Sequence, residues 1–135
     1  MTYIKNFWLF VIWLGIIIYL SFTPLKDWPQ PTIFQKLYID KVVHITMYAI
    51  LSFLLLLAIW RQQKKQPLRY AQIVYVLIFT AGIGIAVEIF QPILTFYRRF
   101  EWLDMLANAG GAAAGWLIFK WIIYKRSRLK TIPHQ

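Results

Sequence analysis

Residues 7 to 22, FWLFVIWLGIIIYLSF, contain no charged side chain. Two more stretches are equally bare: ITMYAILSFLLLLAIW (45–60) and YAQIVYVLIFTAGIGIAV (70–87). A fourth, residues 102–124, carries only Asp104 and Lys120. A helix crosses the hydrocarbon of a bilayer with about 20 predominantly apolar residues, roughly 17 to 25. With a few flanking residues, the four stretches predict spans at 5–23, 40–60, 68–91 and 102–124. In hydrocarbon every backbone N–H and C=O needs an internal partner, which helices of this length supply. The expectation is an all-α membrane protein, one domain over residues 1–135, with four transmembrane helices in a compact bundle. Lys5 before an apolar run imitates a signal peptide, but the run is too long and SFTPLKDW is a poor cleavage site. The first span is therefore expected to be a retained anchor.

Charge sets the expected orientation. The formal net charge is +10, from 15 Lys and Arg against 5 Asp and Glu. Lys5, Arg61, Lys64, Lys65, Arg69, Lys120, Lys125, Arg126, Arg128 and Lys130 fall on one side of the four spans, and no acid joins them. The other side holds Lys26, Lys36, Lys41, Arg98 and Arg99 with all five acids, Asp27, Asp40, Glu88, Glu101 and Asp104. The positive-inside rule puts the first side in the cytoplasm, with both termini. Topology thus accounts for the basic excess, and no nucleic-acid partner is expected. The aromatic residues follow the same boundaries: Tyr19, Trp28, Tyr38, Tyr97 and Trp102 outside, Trp8, Trp60, Tyr70, Trp121 and Tyr124 inside. With no cysteine, disulfides and thiolate chemistry are excluded.

The outer loop 24–39 contains Pro24, Pro29 and Pro31 and suggests a short interfacial helix around TIFQKLYI. Span three is expected to stop at Gln91, because Pro92 disfavours further helix. Counting from the cytoplasmic ends at about 1.5 Å per residue, His44 lies roughly 25 Å up its helix and Asp40 roughly 32 Å. Glu88 lies at roughly 27 Å with Gln91 a turn beyond, Asn108 at roughly 26 Å and Asp104 at roughly 32 Å. The hydrocarbon core is about 30 Å thick. Three helices therefore bring polar groups to one layer at the outer boundary.

Spacing assigns these groups to faces. Asp40, His44 and Tyr48 are successive i, i+4 positions; Glu88 and Gln91 are i, i+3; Asp104 and Asn108 are i, i+4. The last stripe continues into Gly111, Ala112 and Gly115, a small-xxx-small pattern that admits a close helix neighbour. That neighbour is either a helix of the same chain or a second copy, which leaves open a homo-oligomer through Gly111 and Gly115. Asp40 reads either as the N-cap of span two or as a ligand. His44 reads as interhelical glue or as a base oriented by a carboxylate. Glu88 sits at a helix C-terminal end, where the dipole opposes it, and calls for Arg98 or Arg99 as its cation. Asp104 is favoured at its helix start and reads as a cap or a proton-handling acid, while Gln91 and Asn108 read as hydrogen-bond glue or ligand contacts. One histidine among acids is no specific zinc signature, and the adjacent arginines oppose a metal, so neither metal nor cofactor is expected. No ionisable residue lies near the midplane, which argues against a proton-coupled transporter.

The ordered set DKVVHITMYAIL, EIFQ, an arginine, and EWLDMLANAGGAAAG resembles the VanZ-like family of small bacterial membrane proteins. The pattern D-K-x-x-H-x-x-x-Y, E-x-x-Q, R, D-x-x-x-N-x-x-G extends the resemblance from about residue 10 to residue 120, and YLSFTP fits the family's exit from helix one. Arg98 and Arg99 are adjacent, and either matches the family's arginine. The resemblance implies a bacterial inner-membrane location and low-level resistance to teicoplanin, a lipoglycopeptide antibiotic. The expected function is an outward-facing polar pocket that binds or processes an amphiphilic envelope lipid or such an antibiotic. His44, Glu88 and Asp104 are its candidate catalytic residues, with Asp40, Tyr48, Gln91, Arg98, Arg99 and Asn108 contacting the ligand. The competing expectation is a noncatalytic bundle whose polar layer only fixes helix packing.

Overall fold

The computed structural model describes residues 4–23, 33–95 and 100–129. They form four helices, α1 (Ile4–Phe22), α2 (Ile33–Gln62), α3 (Tyr70–Leu94) and α4 (Trp102–Leu129), packed as one bundle. Each contains a segment long and apolar enough to span a membrane: Lys5–Phe22, Ile39–Gln62, Tyr70–Leu94 and Trp102–Ile123. Large apolar side chains such as Val11, Ile78, Phe79, Ile93, Leu106 and Trp121 lie on the outside. A soluble protein rarely exposes so continuous an apolar surface; lipid tails are its natural neighbours.

Two boundaries differ from expectation. No Gly or Pro occurs between residues 33 and 62, so nothing interrupts the helix. The expected interfacial helix and span two are accordingly one 30-residue helix, α2. At about 1.5 Å per residue it is roughly 45 Å long, more than the hydrocarbon thickness. Asp40 therefore lies two turns inside α2 and is not its N-cap. Likewise α3 runs through Pro92 to Leu94. A proline lacks one donor and crowds the carbonyl four residues back, but so near the end only the last turn is affected. Thr95 closes that turn on the Gln91 carbonyl, through its N–H at 2.8 Å and its Oγ1 at 2.6 Å.

α2 and α4 run in the same direction and make the closest contact. A Cβ added at Gly111 would fall on the backbone carbonyl of Ile45, and one at Gly115 on that of Ala49. Both pairs advance by four residues, one helix turn on each side. The small-xxx-small stripe thus serves a helix of the same chain. Below it, Phe119 packs edge-on against Phe53 and Trp60. The apolar core comprises Phe10, Ile17, Tyr48, Leu51, Leu55, Leu56, Val76 and Phe119. α1 joins through the Trp13 indole N–H, which donates to the Met47 carbonyl at 2.9 Å, and through Asn6, which donates to Gln62 at 2.8 Å.

Candidate functional site

The polar layer is assembled from α2, α3 and α4. Glu88 and Asn108 are wholly buried, and Asp104 and His44 are only 5% and 6% exposed. His44 stands at the centre. Its Nδ1 is 2.9 Å from Asn108 Oδ1 and 3.8 Å from Glu88 Oε1. Its Nε2 lies 4.0 Å from Asp40 Oδ1 and 4.0 Å from Asp104 Oδ2. An amide oxygen only accepts, so the 2.9 Å bond places a hydrogen on Nδ1; when the ring is neutral, Nε2 is its basic nitrogen. The i, i+4 stripe on α2 and the stripe on α4 are what aim these groups at one point.

Gly84 explains how α3 admits Asn108. A Cβ at Gly84 would sit 2.8 Å from both Cβ and Nδ2 of Asn108. Only a glycine lets the amide lie flat against α3, one turn from Glu88. Gln91 points elsewhere: its Nε2 donates to the Ser21 carbonyl of α1 at 3.0 Å, in a buried position. Tyr48 is buried, and its hydroxyl has no hydrogen-bond partner among the described residues. Arg98 and Arg99, expected to neutralise Glu88 and to hold anionic groups, lie outside the described residues.

Lys41 was not among the candidates, yet it organises the rim at the polar end of the bundle. Its ammonium donates to Glu101 Oε2 at 2.9 Å and to Asp104 Oδ1, and lies 3.7 Å from Asp40 Oδ2. Position 41 is i−3 from His44 on the same helix, and that spacing was available as a signal. The polar stripes also reach deeper than Tyr48. Ser52 continues the series 40, 44, 48 by one more turn and is wholly buried. Thr80, two turns below Glu88, is wholly buried as well, its hydroxyl donating to the Val76 carbonyl at 2.8 Å. Extending each i, i+4 series inward finds both residues.

The arrangement offers three chemical capabilities. An imidazole beside three carboxylates can accept or relay a proton. The partly exposed rim of Asp40, Lys41 and Glu101 offers both signs of charge. Asp40, His44 and Asp104 hold ligand atoms within 4.8 Å of one another, close enough to share a metal ion. A family model described as VanZ/LLP1 matches residues 1–124. Comparison with curated proteins and with solved structures returned no match.

Proposed function

The chain belongs to the VanZ-like family, and from that premise we propose that its outer polar layer binds or processes an amphiphile of the bacterial envelope. The ligand is an envelope lipid or a lipoglycopeptide antibiotic such as teicoplanin, with its tail in the bilayer and its polar group among His44, Glu88, Asp104 and the rim. In this reading the protein resides in the inner membrane with both termini cytoplasmic, so the layer faces outward. Arg98 or Arg99 holds anionic groups, and His44 handles protons with Glu88 or Asp104.

One observation carries the reading. Four polar side chains from three helices, Glu88, Asn108, Asp104 and His44, are buried in a layer where ionisable groups are expensive. Helix register does not require them, since the Gly111 and Gly115 contacts already fix α2 against α4. Ionisable groups kept at membrane depth without a packing task mark function.

His44→Ala and Glu88→Ala test it. Both variants are expected at membrane abundance within about twofold of the parent, with protection of sensitised cells against teicoplanin abolished. Loss of both proteins from the membrane would instead assign the layer to folding. Mass spectrometry of envelope lipids with and without the protein separates processing from binding: an altered profile identifies turnover, whereas an unchanged profile with retained ligand binding identifies a noncatalytic binder. Reporter fusions at residues 65 and 95 check the orientation, and an external signal from residue 65 overturns it.

A further inference from the structure

We propose that Asp40, His44 and Asp104 form a site for one divalent cation, Zn²⁺ or Mn²⁺, at the outer end of the bundle. The sequence alone weighed against a metal; the placement of individual oxygens changes the balance. Lys41 takes Asp104 Oδ1 and approaches Asp40 Oδ2. The other oxygen of each carboxylate, Asp104 Oδ2 and Asp40 Oδ1, faces the same nitrogen, His44 Nε2, at 4.0 Å. Lys41 therefore aligns the two carboxylates from the far side and does not occupy the point they share with the imidazole.

The distance is informative. At 4.0 Å neither contact is a hydrogen bond, so a proton on Nε2 would not bridge them. Two ligands at about 2.0–2.2 Å from a common zinc, or slightly further from a larger ion, come close to that separation. All three ligand atoms fall within 4.8 Å of one another. Tetrahedral Zn²⁺ holds its ligand atoms about 3.4 Å apart, so each carboxylate draws in toward the imidazole by about half an ångström and the two carboxylates toward each other by up to about 1.4 Å. Asn108 supplies the outer support common at such sites. Its carbonyl accepts the Nδ1 hydrogen at 2.9 Å, fixing the tautomer and turning Nε2 toward the carboxylates. One imidazole with two carboxylates suits Zn²⁺ and, with more oxygen from water, Mn²⁺. Three protein ligands leave a position for water or for an anionic oxygen of a ligand. That last role, a metal presented to a phosphate or carboxylate headgroup, rests on the amphiphile reading; the site itself rests on the geometry. A bound cation occupies Nε2, so the proton handling proposed for His44 belongs to the metal-free site.

The full chain in lipid nanodiscs, stripped with a chelator and titrated with Zn²⁺ and Mn²⁺, is expected to take up about one equivalent per chain by elemental mass spectrometry. Asp40→Asn and His44→Ala are each expected to weaken uptake about tenfold or more, since each removes a ligand. Asp40 is partly exposed, so its variant keeps the parent's helical content and melting temperature, and a loss of uptake there reports on ligation. X-ray absorption at the zinc edge should show one imidazole with oxygen ligands. Absence of saturable uptake in the parent, or uptake unchanged by both substitutions, overturns the site. Native mass spectrometry with vesicles containing anionic and zwitterionic lipid keeps the two proposals apart. Lipid selectivity in a protein that binds no metal defeats only the metal site, and metal uptake without lipid selectivity defeats only the amphiphile reading.

Discussion

The two ends of the α2–α4 contact are built on opposite principles. At the inner end Gly111 and Gly115 bring the α4 backbone onto the carbonyls of Ile45 and Ala49, and Phe119 fills the space beneath. At the outer end the same helices meet through Lys41, His44, Asp104 and Asn108. In lipid the tails compete equally well for apolar side chains, so close packing of small residues is what drives association. Polar pairs add little on average, about 0.6 kcal/mol each in membrane helix bundles. The glycine end therefore holds the helices, and the polar end contributes less to their association.

The sharpest way to break this contrast is Gly115→Leu. The new side chain meets backbone, which cannot swing aside, and an expected loss of about 3 kcal/mol or more should remove the protein from the membrane. Gly110→Leu, one residue before the stripe and with open space around it, is the control and should leave abundance unchanged. If both substitutions behave alike, the inner contact is not what holds α4.

Lys41→Met probes the outer end. Stripping the cation from a fully buried pair costs about 3–5 kcal/mol, and partial exposure of Lys41 lowers the expectation to about 2 kcal/mol. Graded detergent unfolding of Lys41→Met and of the double variant with Asp104→Asn measures this, and the double variant should recover part of the loss. Equal stability of parent and Lys41→Met would show that the rim contributes nothing to the fold.

The smallest effect belongs to Tyr48→Phe. Its hydroxyl is buried without a partner among the described residues, so deletion should shift stability by less than about 0.5 kcal/mol, or raise it slightly. A loss above about 1 kcal/mol would reveal a bound water or other partner at that oxygen.

The site was partly legible in the sequence because helical periodicity is rigid. Once Asp40, His44 and Tyr48 are read at i, i+4, their common face follows from the 3.6-residue turn whatever they pack against. The same logic brought Glu88, Asp104 and Asn108 to one depth, and it would have reached Ser52 and Thr80 had each series been carried inward. Gln91 was harder: at i+3 from Glu88 it shares that stripe, yet its amide turns to Ser21 of α1 because α3 packs against α1 as well as α2 and α4. Lys41 was missed because a lysine at a membrane boundary resembles ordinary interfacial charge, and only the approach of Glu101 and Asp104 gives it a task.

By itself the sequence determined the four spans and the level along the bundle at which polar groups of three helices gather. Each of these depends on local quantities, namely run length, side-chain period and rise per residue. The tertiary structure decided what those quantities leave free. It made α2 continuous from Ile33, so that Asp40 became an inward member of the layer and not a cap. It set Gly111 and Gly115 on α2, Gly84 against Asn108, and opposite oxygens of Asp40 and Asp104 on Lys41 and His44. Those are matters of helix rotation and pairing, which follow from contacts between segments distant in the chain and cannot be read from any one of them.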